Sequence, residues 1–341
     1  MSTLTGLIST SVTDCGTDLV ERAVFGTADT ERIAVAFESL VLSTLGTQID
    51  EALFYEASVG CVVGLRLHNG SEVVVKAYQP RWSDEFLREV QQAQGALASS
   101  GFPCPRPVSG PVHLLAGHAL IETYLADPGQ RSITEAMLSI SAAGLATQIN
   151  LCRGLDGSGL RPHPMDAGQD DLYPTPHSPI FDFEATAAGA EWIDQLAGAA
   201  KTVRDDHAAS PVIAHCDWSA RNVRMDETGL LAVYDWDSLS NAAEVVAVGQ
   251  AAATWSAVDG NETAPSANEI ATYVARYEDA RGAQFGTAER VAVGAAALYV
   301  LAYTARCEHA IDPDQAVHRR ARSRLTTERD ALLDLPDLME D

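Results

Sequence analysis

The residues best suited to chemistry in this sequence sit at short, fixed intervals in its second half. In Val212-Ile213-Ala214-His215-Cys216-Asp217-Trp218-Ser219-Ala220-Arg221-Asn222, a histidine, an aspartate and an asparagine follow one another within a single loop. A short apolar strand over 223–225, a turn at Asp226-Glu227-Thr228-Gly229 and a second apolar strand over 230–234 then lead to Asp235-Trp236-Asp237. One carboxylate therefore precedes the first strand and another follows the second, with an amide at the mouth of the loop between them. Such oxygen donors suit phosphoryl transfer: a carboxylate beside an attacking hydroxyl, and hard ligands for a Mg²⁺ that bridges phosphates. An ordinary hairpin with polar ends is the competing reading.

A second clue is compositional. Of the 23 basic residues only Lys76 and Lys201 are lysines, so each lysine is conspicuous. Lys76 lies in the valine-rich run 72–78, on the face shared by Val74 and Tyr78, while Val73, Val75 and Ala77 take the other face. A solvent-facing lysine on such a hairpin strand would be unremarkable.

The pattern His-x-Asp-x-x-x-x-Asn, followed by Asp after strand-turn-strand, resembles the catalytic core of the aminoglycoside phosphotransferase and choline kinase family. The resemblance runs from about residue 50 onward and is most specific over 212–237. It implies a catalytic role for Asp217, with His215 holding the loop, and Mg²⁺ ligation by Asn222 and Asp235. It further implies ATP or GTP as phosphate donor, and Lys76 as the phosphate lysine. The helix glutamate that orients such a lysine is Glu85 or Glu89, one turn apart; Glu89, the more interior, is preferred. By position, Ser58 and Gly60 fall in the nucleotide loop, although 56–60 is not a Gly-x-Gly-x-x-Gly sequence. The base edge is expected at the backbone near Glu122, Thr123 and Tyr124. Two departures, Trp-Asp in place of Phe-Gly after Asp235 and no Ala-Pro-Glu segment, separate the chain from protein kinases.

These residues need a scaffold, and the implied one is an α+β, bilobal protein-kinase-like fold. A small N-terminal lobe with an antiparallel sheet is expected over 1–126, including a helical extension over about 1–50. A larger, mostly helical lobe is expected over 127–341, with the boundary at Asp127-Pro128-Gly129. Helical spacing of Ile33, Phe37, Leu40, Val41 and Leu45 predicts a helix over 30–45, stopped by Gly46. Strands are expected over 53–55, 61–67 and 72–78, the last two joined by an Asn69-Gly70 hairpin. Ser83 and Gly101 bracket a predicted helix over 84–99. Beyond 130, helices are expected over 133–153 and 185–203. Asp237 either supports the metal site or caps a helix running through Leu239 and Asn241; capping is preferred.

The long loop over 156–178 and the stretch after it carry Asp166, Asp170, Asp171, Asp182 and Glu184 among Tyr173, Phe181 and Phe183. Acids and aromatics suit a hydroxylated, amine-bearing ligand, so Asp170, Asp171, Asp182 and, after the longest apolar run, Glu308 are candidates for the substrate wall. A solvated loop is the alternative. The net charge of −24 argues against phosphate-backbone binding to nucleic acid and is compatible with a cationic substrate. The apolar run 291–305 is shorter than the ~20 residues a membrane span needs and reads as a core helix. Met1 to Thr5 lack the features of a signal peptide, and the scattered cysteines read as reduced thiols; both predict a cytoplasmic protein, monomeric or homodimeric. The expected activity is phosphorylation of a small-molecule hydroxyl, on an aminoglycoside-like or other antibiotic (a resistance role). The alternatives are an aminosugar, sugar or amino alcohol, and an inactive nucleotide-binding module, which the complete Lys76, Asp217, Asn222 and Asp235 set disfavours.

Overall fold

Valine alternation and one Asn-Gly turn set up the first sheet of the computed structural model, which describes residues 3–129, 133–166, 171–176, 180–207, 211–258, 263–312, 320–334 and 338–339. The chain divides into two compact units, Met1–Ala126 and Asp127–Asp341. In the first unit, helices α1 (Thr3–Cys15), α2 (Leu19–Phe25) and α3 (Thr30–Leu45) precede strands β1 (Ile49–Ala57), β2 (Cys61–Leu67) and β3 (Glu72–Tyr78). Helix α4 (Asp84–Ser99) and strands β4 (Pro107–Leu114) and β5 (Gly117–Thr123) complete it. The sheet is antiparallel in the order β1-β2-β3-β5-β4.

Register decides which side chains share a face. Val63 pairs with Val75 and Leu65 with Val73, and this face buries itself against Leu4, Ile8, Val24, Ile33 and Phe37 of the three N-terminal helices. Each such buried side chain contributes roughly 1.5–3 kcal/mol. Val62 pairs with Lys76, and Val74 with Glu122, so Lys76 and Glu122 stand together on the opposite face. Helix α4 is fastened to that second face: Gln94 Nε2 donates to Glu122 Oε2 at 2.8 Å, and Trp82 packs at a tilt between Tyr78 and Phe86, with ring centroids 5.5 and 5.2 Å away. Capping follows the sequence signals, since Ser83 Oγ accepts from the Phe86 N–H and Gly101 takes a φ of 82°.

The second unit contains helices α5 (Glu135–Leu151) and α6 (Glu191–Asp205), then strands β6 (Pro211–His215), β7 (Val223–Asp226), β8 (Gly229–Val233) and β9 (Leu239–Ala243). Helices α7 (Glu244–Thr254), α8 (Ala267–Arg281), α9 (Thr287–Ile311) and α10 (Arg320–Leu333) follow. Helix α9 contains the apolar run and is long and apolar enough to cross a membrane, yet 83% of its most apolar window is inside the protein, against α6, α7 and α10. Gly249 is required where α7 meets α9, because a Cβ there would lie 2.5 Å from the Val293 carbonyl oxygen. All six cysteines are free thiols.

Two expectations are corrected here. Residues 239–243 are not helical: they form β9, antiparallel to β6, with His215 opposite Leu239. Asp237 lies in a 3-10 turn before that strand, so it caps no helix there. The expected start of the first strand was also too late, since β1 begins at Ile49.

Candidate active site

The loop between β6 and β7 is held by side chains buried beneath it. Trp218, 1% exposed, donates from Nε1 to the backbone and hydroxyl oxygens of Ser141 on α5, at 3.1 and 3.0 Å. Gln148, also on α5, accepts from the His215 N–H and donates to the Ile213 carbonyl. Gln250 on α7 donates to the Cys216 carbonyl. Amides on otherwise apolar helix faces are the signal that would have located Gln148 and Gln250 in the sequence.

His215 is buried edge-on between Trp218 and Trp236, with ring centroids 5.8 and 5.4 Å away. Its Nδ1 accepts from the Asp217 N–H at 3.3 Å, which places the proton on Nε2, and Nε2 donates to the Tyr234 carbonyl at 2.8 Å. One imidazole thus ties the start of the catalytic loop to the residue before Asp235.

Asp217 is exposed, while Asn222 and Asp235 are partly buried. The Asn222 side chain reaches back to the Asp217 carbonyl at 3.1 Å and to its Oδ2 at 2.8 Å. Both partners are acceptors, so the end facing them must be the NH₂, and the amide oxygen is the atom left for a hard cation. Asp235 adopts a left-handed backbone, φ 61° and ψ 50°, where a residue with a Cβ is strained. Ser238 donates to it, from N–H to the carbonyl at 3.0 Å and from Oγ to Oδ2 at 3.2 Å. Strain at a carboxylate fixed beside a catalytic loop fits a metal ligand. Among the described residues no group of three or more His, Cys, Asp or Glu is placed to hold a metal. A Mg²⁺ carried by a nucleotide needs only one or two carboxylates, since phosphates and waters supply the rest. The donor set fits.

The candidates in the first unit lie on one sheet face and the adjoining turn. Lys76 is half-buried on β3. Glu89 is half-buried on α4 while Glu85 is exposed, which favours Glu89 as the interior acid. Gly60 closes the β1–β2 turn: its carbonyl accepts the Ser58 N–H at 2.9 Å, and a Cβ would lie 2.7 Å from the Ala77 carbonyl oxygen. Gln79, missed in the sequence, donates to the Val59 carbonyl at 2.7 Å and holds that turn. The Thr123 and Tyr124 N–H groups already donate to the Arg106 and Glu72 carbonyls, and the Glu122 carboxylate accepts from Gln94.

The acidic candidates behave differently. Asp170 lies outside the described residues. Asp171 is exposed. Asp182 is exposed, with Oδ1 accepting the Ala185 N–H at 2.9 Å to start a turn. Glu308 is partly buried, and its two oxygens accept the Ala321 and Arg322 N–H groups at 3.1 and 3.0 Å, opening α10. Neighbouring acids face internal arginines. Asp194 lies 3.4 Å from Arg306 and accepts from Tyr173, and Asp166 lies 3.9 Å from Arg204. Burial outweighs that distant cation and raises the Asp166 carboxyl above its usual range. The loop is also stitched to β9, with Arg161 O accepting the Asn241 N–H and Arg161 Nη2 donating to the Asp237 carbonyl.

The family model described as the phosphotransferase enzyme family matches residues 65–292. No curated protein matches the chain in sequence. Among solved structures, the chain resembles amicoumacin kinase hAmiN in complex with AMP-PNP, Ca²⁺ and Ami, at 12% identity and a TM-score of 0.56, over 89% of this chain and 96% of that one. It also resembles the microcompartment-associated aminopropanol kinase, at 12% identity and a TM-score of 0.56, over 90% and 94% of the two chains. A third likeness is to an aminoglycoside phosphotransferase from Alicyclobacillus acidocaldarius subsp. acidocaldarius DSM 446, at 13% identity and a TM-score of 0.53, over 87% and 95%. At these identities the likeness is one of fold.

Proposed function

The chain belongs to the phosphotransferase enzyme family, and from that premise we propose that it moves the γ-phosphate of ATP or GTP to a hydroxyl of a small molecule. The observation that carries this reading is the Asp217–Asn222 contact at 2.8 Å, formed on the loop that His215 ties to the residue before Asp235. Asp217 is the exposed carboxylate, so it meets the acceptor hydroxyl, orients it and takes its proton as the O–P bond forms. Asn222, by its amide oxygen, and Asp235 would hold Mg²⁺, which when bound neutralises charge on the phosphates. Lys76 supplies a further positive charge to the nucleotide.

The acceptor divides two readings. The first is an aminoglycoside-like or other hydroxylated antibiotic, which the charge of −24 favours through attraction of cations. The second is an aminosugar, sugar or amino alcohol. It is favoured by the internal engagement of Asp166, Asp182, Asp194 and Glu308, which leaves fewer carboxylates for a polycation. A nucleotide-consumption screen over aminoglycosides, other hydroxylated antibiotics, aminosugars and amino alcohols, run beside Asp217→Asn, tests both. Turnover that depends on Asp217 supports the kinase reading, and turnover equal in the two proteins removes it.

A further inference from the structure

Arg224, on β7 two residues past Asn222, makes contacts that the proposed reaction has not yet used. Val223 and Met225 are buried to either side of it, and alternation turns Arg224 the other way. Its Nε and Nη2 donate to the two carboxylate oxygens of Asp127 at 2.8 and 2.9 Å, a parallel two-point pair. Its Nη1 donates to the Ala220 carbonyl at 2.7 Å and the Arg221 carbonyl at 2.6 Å, both within the catalytic loop. The guanidinium carbon also lies 5.9 Å from the centre of the Tyr234 ring, next to Asp235. The Arg224 side chain is 17% exposed and that of Asp127 50% exposed.

We infer that Arg224 is a positioning residue: braced by Asp127, it fixes the backbone of the catalytic loop so that Asp217 and Asn222 keep their relative placement. The inference rests on the kinase reading above. The loop has other anchors, Trp218 below and the Ala220 N–H donating to the Trp255 carbonyl at 3.1 Å. Those hold its buried side, whereas Arg224 collects the two successive carbonyls that lead into Asn222. An ammonium cannot do this, since bridging a carboxylate and two carbonyls requires a planar fork. The contribution to stability is small, because a half-exposed pair is screened. The contribution to rate is larger, because small displacements of catalytic groups cost rate steeply. Asp127 supports this geometry: its hydrogen bond to Arg224 holds the carboxyl below the usual aspartate range, so the pair stays ionised at neutral pH.

The test compares Arg224→Ala, Arg224→Lys, Asp127→Ala and the Arg224→Ala/Asp127→Ala double variant with the parent and with Asp217→Asn. ATP–Mg²⁺ turnover is read with water and with the acceptor panel above, across Mg²⁺ concentrations and alongside thermal unfolding. Arg224→Ala should lower kcat about tenfold or more, raise the Mg²⁺ needed for half-maximal rate, and leave the ATP KM at saturating Mg²⁺ within about threefold. Arg224→Lys should resemble Arg224→Ala rather than the parent, and added guanidinium ion should restore part of the Arg224→Ala rate. The double variant should fall no further than Arg224→Ala. Should Arg224→Ala not fold, Arg224→Lys and Asp127→Ala carry the same test. A normal kcat with only a lowered Tm, or full activity in Arg224→Lys, overturns the positioning role. If Asp217→Asn is as active as the parent, the kinase reading itself fails. If Asp217→Asn is inactive and the Arg224 variants are normal, only the positioning role fails.

Discussion

Between 211 and 243 the Asp217 carboxylate is exposed and is held by a neutral amide, Asn222. Between 156 and 194, Asp166 and Asp194 instead face the guanidinium groups of Arg204 and Arg306, which are 3% and 1% exposed. Around them Tyr173, Phe183, Tyr299 and Tyr303 form an aromatic cluster, with Tyr173 5.3 Å from Phe183 and 6.0 Å from Tyr303. Both regions are rich in aspartate, and one residue type does opposite work in them. An amide orients a carboxylate without neutralising it, so Asp217 keeps a charge for a ligand. A guanidinium beside an acid offsets part of its charge, and Tyr173, donating to Asp194 beside Arg306, ties the loop to α6 and α9. What an acid faces, rather than how many acids a segment contains, decides whether it can recognise a substrate.

The contrast can be broken first at Arg306. Replacing it with Met removes the donor of the Phe183 carbonyl and the cation beside Asp194, so stability should fall by about 3–5 kcal/mol while the geometry of the β6–β7 loop stays. Thermal unfolding measures the loss, and a stability near the parent's would mean that the loop acids are not internally neutralised. Next is acid sensitivity of the same loop. His163 is 2% exposed, and burial together with the Arg204 charge lowers its imidazole to about 3. The unfolded chain takes up that proton near pH 6.5, so between about 3 and 6.5 the unfolded state binds more protons and stability falls as pH falls. By pH 5 the loss from this group is about 2 kcal/mol. Unfolding scans at pH 7 and 5 should show it in the parent, and His163→Gln should flatten it; an unchanged slope rejects the assignment. The smallest effect belongs to Asp182, where Asp182→Asn weakens one turn contact. It should cost less than about 1 kcal/mol and leave acceptor KM within about twofold. Asp171→Asn sharpens the comparison, because that exposed acid is where a cationic acceptor should lose affinity.

The candidate site was legible where it is local. His215, Asp217, Asn222 and Asp235 lie within 21 consecutive positions, and short strands punctuated by a turn place them with little help from distant chain. The Asn69-Gly70 hairpin, the Ser83 cap and the apolar stripe of α3 were readable for the same reason. Strand β9 was not, because its partner β6 lies more than twenty residues earlier and five residues fit either period. Nor was the task of Glu308, whose partners open a different helix. The left-handed backbone at Asp235 leaves no trace in a sequence, since an aspartate in that conformation is spelled like any other. Arg224 was hidden by the same distance, its carboxylate partner lying 97 positions away.

Asp217 and Asp235 are proposed to do different jobs in one phosphotransfer site, and calorimetry with Mg²⁺ and AMP-PNP, paired with turnover, separates them. Asp217→Asn keeps the shape of the loop and removes the charge. Metal–nucleotide affinity should therefore survive, while kcat falls by about 10² or more. Asp235→Asn should weaken metal–nucleotide binding itself, with turnover partly recovered by added Mg²⁺. If both variants bind AMP-PNP with Mg²⁺ and turn over like the parent, the site does not perform the chemistry assigned to it.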